Sequence, residues 1–326
     1  MGPAAAGQLV AFGASAVVGL NDSAMSATRT LLSDGRWHLQ HGPIDIIIGA
    51  SGHPAAVELA HETAWLRFTG VLDELIGELV VLRRPVQGPC VLKGSMARRM
   101  WDACRPYKSS FITPMAAVAG AVAQEIVASY SIPGVARAWV NNGGDIALYL
   151  APAESVRIGL YADLAQLSPG EILGGVQIDG YFEISSLIPV RGVATSGWRG
   201  RSFSLGIADS VTVLARSAAA ADAAATVIAN AVNLVDARIV RAPACDVKDD
   251  SDLGEIAVTV DVPLLDPHLV QQALWAGFKR AEELRTAGLI WSALLVCQKQ
   301  ILTAGDASRF LVDKYFDGCK VGSVIA

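Results

Sequence analysis

Four polar side chains spaced along one Ala-rich segment carry the chemistry most easily read from this sequence. Asp222, Thr226, Asn230 and Asn233 fall at i, i+4, i+8 and i+11 of the run SAAAADAAATVIANAVN, a spacing that stacks them on one face of a helix. A carboxylate and a hydroxyl one turn apart offer two oxygens to a hard cation such as Mg2+, which takes oxygen ligands and keeps several waters. The alanines between them leave room for a ligand. A competing reading has Asp222 and Thr226 hydrogen-bonding a neighbouring turn, as buried polar groups usually do, with the alanines serving only close packing. Residue types alone leave both readings open.

Two glycine-bearing segments add binding groups. In NNGGD, Gly143 and Gly144 tolerate positive φ and bring backbone N–H groups near a ligand, while Asp145 accepts from a ribose, an amide or the turn itself. A tight hairpin explains the same residues, Asn142 included. In RGVATSGWRGR, Thr195, Ser196 and Gly197 sit at a strand end beside Arg191, Arg199 and Arg201. Hydroxyls plus guanidinium forks suit a phosphate or carboxylate, and a plain polar turn between strands suits them equally. Arg98, Arg99 and Arg105 form a basic cluster that reads as a solvated helix face or as a lid meeting an anionic ligand. Asp246, Asp249, Asp250 and Asp252 lack the spacing and closing Glu of an EF-hand, so they read as a solvated loop.

The elements that must hold these groups follow from periodicity and punctuation. Ser217 as N-cap and an uninterrupted Ala-rich run predict a helix over 218–235. GRWHLQ and IDIIIGA around HGP predict a hairpin, and apolar residues at helical spacing predict helix from Pro54 to Leu82 with an interruption at Gly70. Met96 to Cys104 reads as a short basic helix. Thr113 as N-cap with Pro114 at the first helical position starts another. VARAWV and IALYL read as strands around NNGGD, and RIGLYA, GGVQIDG, FEISSLIPV and EIAVTVDVP as further strands. DPHLVQQALWAGFKRAEELRTAG reads as an amphipathic helix ended by Gly288, and IWSALLVC with ILTAG as a last hairpin.

Composition sets the class. The chain has 326 residues, 52% of them hydrophobic and 17% charged, enough to bury a large core in one domain or two closely packed halves. A net charge of −5 disfavours a nucleic-acid partner and leaves a small-molecule ligand as the expectation. Five dispersed cysteines without a CxxC pair, and no charged n-region before Arg29, point to a cytoplasmic protein. No apolar run reaches the roughly 18 residues that span a bilayer, so no membrane partner is expected. No HExxH, GxSxG, GxxxxGK[ST] or GxGxxG occurs, which removes zincin, serine hydrolase, P-loop and Rossmann chemistry.

The order ATSG, SVTVLA, ADAAAT resembles the closing motifs of the ApbE-like flavin transferase superfamily. HLQHGPIDIIIGA, ITPMAAVAGAVA, VNNGGDIALYL, GVATSGWRGRSFSLGIADSVTVLA and SDLGEIAVTVDV together resemble the UPF0280 family, a branch of it, from about Arg29 to Gly305. The resemblance implies an α+β, T-fold-like domain of antiparallel sheets packed with Ala-rich helices, compatible with a duplicated half-domain. It implies an extension at residues 1–28, the domain at 29–305 and a tail at 306–326. For sites it implies metal ligation of Mg2+ by Asp222 and Thr226, and a flavin (FAD or FMN) or other phosphate-bearing nucleotide held by Asn142, Gly143, Gly144, Asp145, Thr195, Ser196, Gly197 and Arg199. A homo-oligomer is compatible with it.

Two departures bear on activity. The Lys and Asp of the family's earlier helix are missing, and FSLGIADSVTV replaces the family's His-containing segment, with Asp209 keeping one polar position. Flavin transfer to a protein acceptor is therefore disfavoured, and no catalytic residue is assigned. A metal-dependent transferase and a non-enzymatic ligand-binding or accessory protein in sulfur or one-carbon metabolism both remain as expectations.

Overall fold

A computed structural model describes residues 26–160, 180–200, 202–249 and 251–306. One antiparallel sheet runs in the order β1 (Thr28–Leu31), β2 (Trp37–His41), β3 (Ile44–Gly52), β4 (Val135–Asn142), β5 (Asp145–Leu150), β8 (Gly192–Ser196), β9 (Ser210–Ala215), β12 (Ser292–Cys297), β13 (Gln300–Ala304). Strands β6 (Ser155–Leu160) and β7 (Gly180–Ser185) form a separate hairpin, and β10 (Val240–Pro243) pairs with β11 (Ala257–Asp261). The helices are α1 (Pro54–Thr69), α2 (Val71–Leu82), α3 (Ser95–Cys104), α4 (Val118–Val127), α5 (Ala218–Ala231), the single turn α6 (Ala244–Val247) and α7 (Pro267–Thr286).

The expected α+β class with antiparallel sheets and Ala-rich helices is what the chain adopts. Its connectivity also repeats. Hairpin β2–β3, helices and hairpin β4–β5 make four adjacent strands, and hairpin β8–β9, helices and hairpin β12–β13 make the next four in the same order. Strand alternation divides each strand between two faces. On β9, Val211, Val213 and Ala215 join the main core with the helices, whereas Leu214 joins a smaller core with Ile158 and Ile184 of the β6–β7 hairpin.

Small residues set how closely the helices approach. A Cβ on Gly120 of α4 would lie 2.3 Å from the Ala218 carbonyl oxygen at the start of α5, so glycine there permits a backbone contact that no other residue would. Ser217 caps α5 as expected, its Oγ accepting from the Ala220 N–H. The helix stops at Ala231, short of Val235, because the following groups bond elsewhere: the Val232 carbonyl accepts from Ile207 N–H and the Asn233 amide donates to the Leu205 carbonyl.

Other expectations need smaller corrections. The helix after Thr113 opens as a 3-10 turn at Pro114–Ala117, and the Thr113 hydroxyl donates to Asp252 of the acidic loop instead of capping it. The basic helix α3 is no lid: Met96, Ala97, Met100 and Cys104 are core, and Arg99 pairs with Glu125. An edge strand at Thr28–Leu31 was not foreseen. The segment GGVQIDG lies almost wholly outside the described residues.

Candidate functional site

Two of the motif segments, NNGGD and ADAAAT, meet at the first turn of α4, and the TSG segment joins them through Asp145. The turn between β4 and β5 places Gly143 at φ 64° and Gly144 at φ 106°, and Gly144 N–H donates to Asn141 Oδ1 at 2.8 Å. That turn delivers Asp145 to the first position of β5, where its Oδ1 accepts from the Thr195 backbone N–H at 3.2 Å. From α5, Asp222 Oδ2 accepts from Gly120 N–H at 2.9 Å, and the Ala119 N–H also bonds this carboxylate. Asn142 closes the ring by donating from Nδ2 to the Ala119 carbonyl at 3.1 Å. Asp222 thus binds N–H groups that α4 cannot satisfy itself, where the helix dipole favours an anion.

The electrostatics of this junction are unbalanced. Asp145 is 7% exposed and Asp222 is half-buried, yet no Lys, Arg or His side chain pairs with either among the described residues. Burial pushes the Asp145 carboxyl well above the ordinary carboxylate range, with the neighbouring Asp222 charge adding to it and the Thr195 N–H opposing. Burial raises Asp222 too, against the Gly120 and Ala119 N–H groups. The Cys104 thiol nearby is raised by burial and then by Asp222. Thr226, one turn beyond Asp222, is half-buried and its hydroxyl has no hydrogen-bond partner among the described residues. Two neighbouring like charges at a largely desolvated junction are costly without a counter-charge, and a hard cation would relieve both. Among the described residues no three His, Cys, Asp or Glu side chains are grouped to hold a metal. A cation here would need the Thr226 hydroxyl, backbone carbonyls, water or ligand oxygens to complete its shell.

Other candidates have structural duties. Thr195 presents its N–H to Asp145, but strand alternation turns its hydroxyl to Thr212 Oγ1, 2.9 Å away on the next strand. Ser196 is half-buried on the opposite alternation. Gly197 has no space for a side chain, since a Cβ would meet the Asp209 carbonyl oxygen at 2.3 Å. Arg199 stacks over Trp198 at 4.8 Å and lies 3.5 Å from Asp209 Oδ1. Arg191 spends its guanidinium on the Ser186, Ile188 and Val190 carbonyls. Asn230 holds Leu205 N–H and Ser204, and Asn233 holds Leu205 and Arg241, so the polar stripe of α5 divides: its first half faces the junction and its second half anchors the 204–206 segment.

Two features escaped the sequence reading. The nearness of Asp145 to Asp222 joins residues 77 positions apart (222 − 145), and no local pattern signals it. Asp209 proves to be a clasp: it accepts from Gln298 N–H and from Trp198 Nε1 at 3.4 Å, tying the TSGWRGR loop to the β12–β13 turn. Its place in a polar break before the apolar strand β9 was the available signal.

A protein-family model described as AbpE bacteria matches residues 29–307. A UPF0280 protein of Methanospirillum hungatei is 38% identical over 151 residues, covering 46% of this chain and 54% of that relative. One of Methanopyrus kandleri is 39% identical over 168 residues, covering 51% of this chain and 61% of that relative. The matched stretches therefore span little more than half the length of these relatives. Among solved structures, an ApbE protein of Thermotoga maritima aligns over 88% of this chain and 99% of its own at 16% identity and a TM-score of 0.37. A Pseudomonas stutzeri flavinyl transferase ApbE, apo form, aligns over 85% and 93% at 11% identity and a TM-score of 0.38.

Proposed function

This chain belongs to the AbpE bacteria family, with UPF0280 proteins among its relatives, and from that premise we propose that it binds a flavin or another phosphate-bearing nucleotide together with Mg2+ at the Asp145–Asp222 junction. The observation that carries the reading is the buried Asp145 beside the half-buried Asp222, without a cationic partner among the described residues, where NNGGD, TSG and ADAAAT converge. Asp222 and Thr226, with Asp145 beside them, are the side chains that would hold the cation. Bound there, Mg2+ would polarise a phosphate as a Lewis acid. Two carboxylates and a hydroxyl leave coordination positions for water and phosphate oxygens, the usual Mg2+ arrangement.

The protein's own groups would act by position. Gly143 and Gly144 let backbone approach the ligand, and the Gly144 N–H is fixed by Asn141. Gly197 and the Asp209 clasp hold the second turn in place. Arg199, already shared with Asp209, would offer its guanidinium to a phosphate from that turn.

Calorimetric titration of Mg2+ or Mn2+, with and without FAD, tests the reading. The wild type should bind the cation, and Asp222→Asn should lose that binding while staying folded. FAD, FMN or AMP should raise the melting temperature of the wild type by linkage, and Gly144→Val should abolish the rise because valine is strained at φ 106°. Identical cation isotherms for wild type and Asp222→Asn would remove the metal, and no thermal shift with any of the three ligands would remove the nucleotide.

A further inference from the structure

The sheet carries a concavity on the face away from Asp145 and Asp222. A cleft of about 670 Å3 lies among strands β3 and β4, the β6–β7 hairpin and the segment holding Asp34 and Arg36, within the range of small-molecule sites. Register builds its floor. Ser51 stands opposite Arg137 and Gly49 opposite Trp139, and the two-residue spacing of Arg137 and Trp139 sends both side chains to the same face. A Cβ on Gly49 would lie 2.5 Å from the indole, so glycine lets the ring lie against the neighbouring strand, where it packs on the smaller core.

Charge singles out one residue. Arg36 pairs with Asp34 at 2.7 Å, and Arg157 faces Glu183 at 3.8 Å. Arg137 differs: its Nε donates to Ser51 Oγ at 3.2 Å and its Nη1 to the Ser155 carbonyl at 3.0 Å, and no carboxylate pairs with it among the described residues. Two neutral acceptors orient the guanidinium without cancelling its charge. Among the described residues, the lining side chains count three Arg against one Asp and one Glu, a net charge of +1 (3 − 2).

We propose that this cleft binds a planar aromatic monocarboxylate, with the carboxylate on Arg137 and the ring against Trp139. A guanidinium fork matches a carboxylate, an indole held in place offers an aromatic face, and Arg137, which has no carboxylate partner among the described residues, matches a single negative charge better than the two of a phosphate monoester. The site stands apart from the Asp145–Asp222 junction and does not rest on the function proposed for it.

The test is calorimetry and saturation-transfer NMR on the full chain with benzoate, 4-hydroxybenzoate and indole-3-acetate. Cyclohexanecarboxylate, 4-hydroxybenzamide and AMP serve as the non-aromatic, uncharged and phosphate-bearing controls. At least one aromatic carboxylate should bind about tenfold more tightly than all three controls. Arg137→Gln and Trp139→Leu should each weaken that binding about tenfold, and Asp222→Asn should leave it unchanged. Should Trp139→Leu fail to fold, Arg137→Gln decides alone, since that side chain is exposed. Binding by none of the three aromatic acids, equal binding of a control, tighter binding of AMP, or full retention in Arg137→Gln overturns the proposal.

Discussion

The two faces of strand β4 are built on opposite principles. Toward the helices, Ala138, Val140 and Asn142 meet a tightly packed layer in which Gly120 touches the backbone of α5 and the buried Asp145 and half-buried Asp222 have no counter-charge among the described residues. Toward the back, Arg137 and the half-buried Trp139 line an open cleft, and the charges of its described residues are mostly matched. The front sets two carboxylates within close helix packing, and the back has an open cleft with little charge imbalance. The contrast teaches that the site marked by motifs and the site marked by volume need not coincide, because a sheet one strand thick presents alternate residues to two environments.

Catalysis would strain the comparison most. If the front junction only binds, incubation with FAD, Mg2+ and a flavin-acceptor domain should leave the acceptor without in-gel flavin fluorescence. The missing positioning groups each cost about 10²-fold or more when they act in the transition state. Labelling at the rate of an authentic flavin transferase would show a front site more complete than its residues indicate.

Packing gives the next largest effect. Gly120→Val should destabilise the protein by about 1–3 kcal/mol or more in urea unfolding, since the new side chain meets fixed backbone. Gly49→Val on the back should cost less, because its Cβ meets the Trp139 ring, a side chain bordering an open cleft, and not backbone. Equal losses would erase the distinction between crowded and open faces.

Proton linkage probes the front charges directly. Asp145 and Asp222 are raised above their unfolded values by burial, so the folded state holds protons that the unfolded state has released. Their favourable contribution is complete below the ordinary Asp value of about 3.9 and is lost as pH rises through the raised folded values. Metal-free wild type should therefore lose stability from mildly acidic pH toward neutrality, by about 1.4 kcal/mol for each unit of upward shift. Asp222→Asn should flatten that slope, and Mg2+ should stabilise the wild type most at the high-pH end. A metal-free profile that rises over the same window would mean the carboxylates are compensated after all.

The smallest effect belongs to the back. Arg137→Gln should change stability by less than about 0.5 kcal/mol, as expected for an exposed side chain whose hydrogen bonds compete with water. A large loss would make Arg137 a structural strut rather than a ligand-facing group.

Much of this architecture was legible in the sequence. Ser217 signalled the start of α5, Gly70 the break between α1 and α2, and the double glycine the β4–β5 turn, because caps, breaks and tight turns depend on local backbone conformation. The stripe Asp222, Thr226, Asn230, Asn233 was legible as a face, since helical spacing is also local. Its division of labour was not: tertiary packing sets Asp222 at the N–H groups of α4 and Asn230 and Asn233 at the 204–206 segment. Likewise the pairing of Asp145 with Asp222, the turning of the Thr195 hydroxyl away from the junction, and the setting of Arg137 between Ser51 and Ser155 depend on which strands and helices become neighbours. Local pattern determined where each polar group stands on its own element. Only long-range packing decided which of those groups share a site, because burial and charge are properties of neighbours in space, not in sequence.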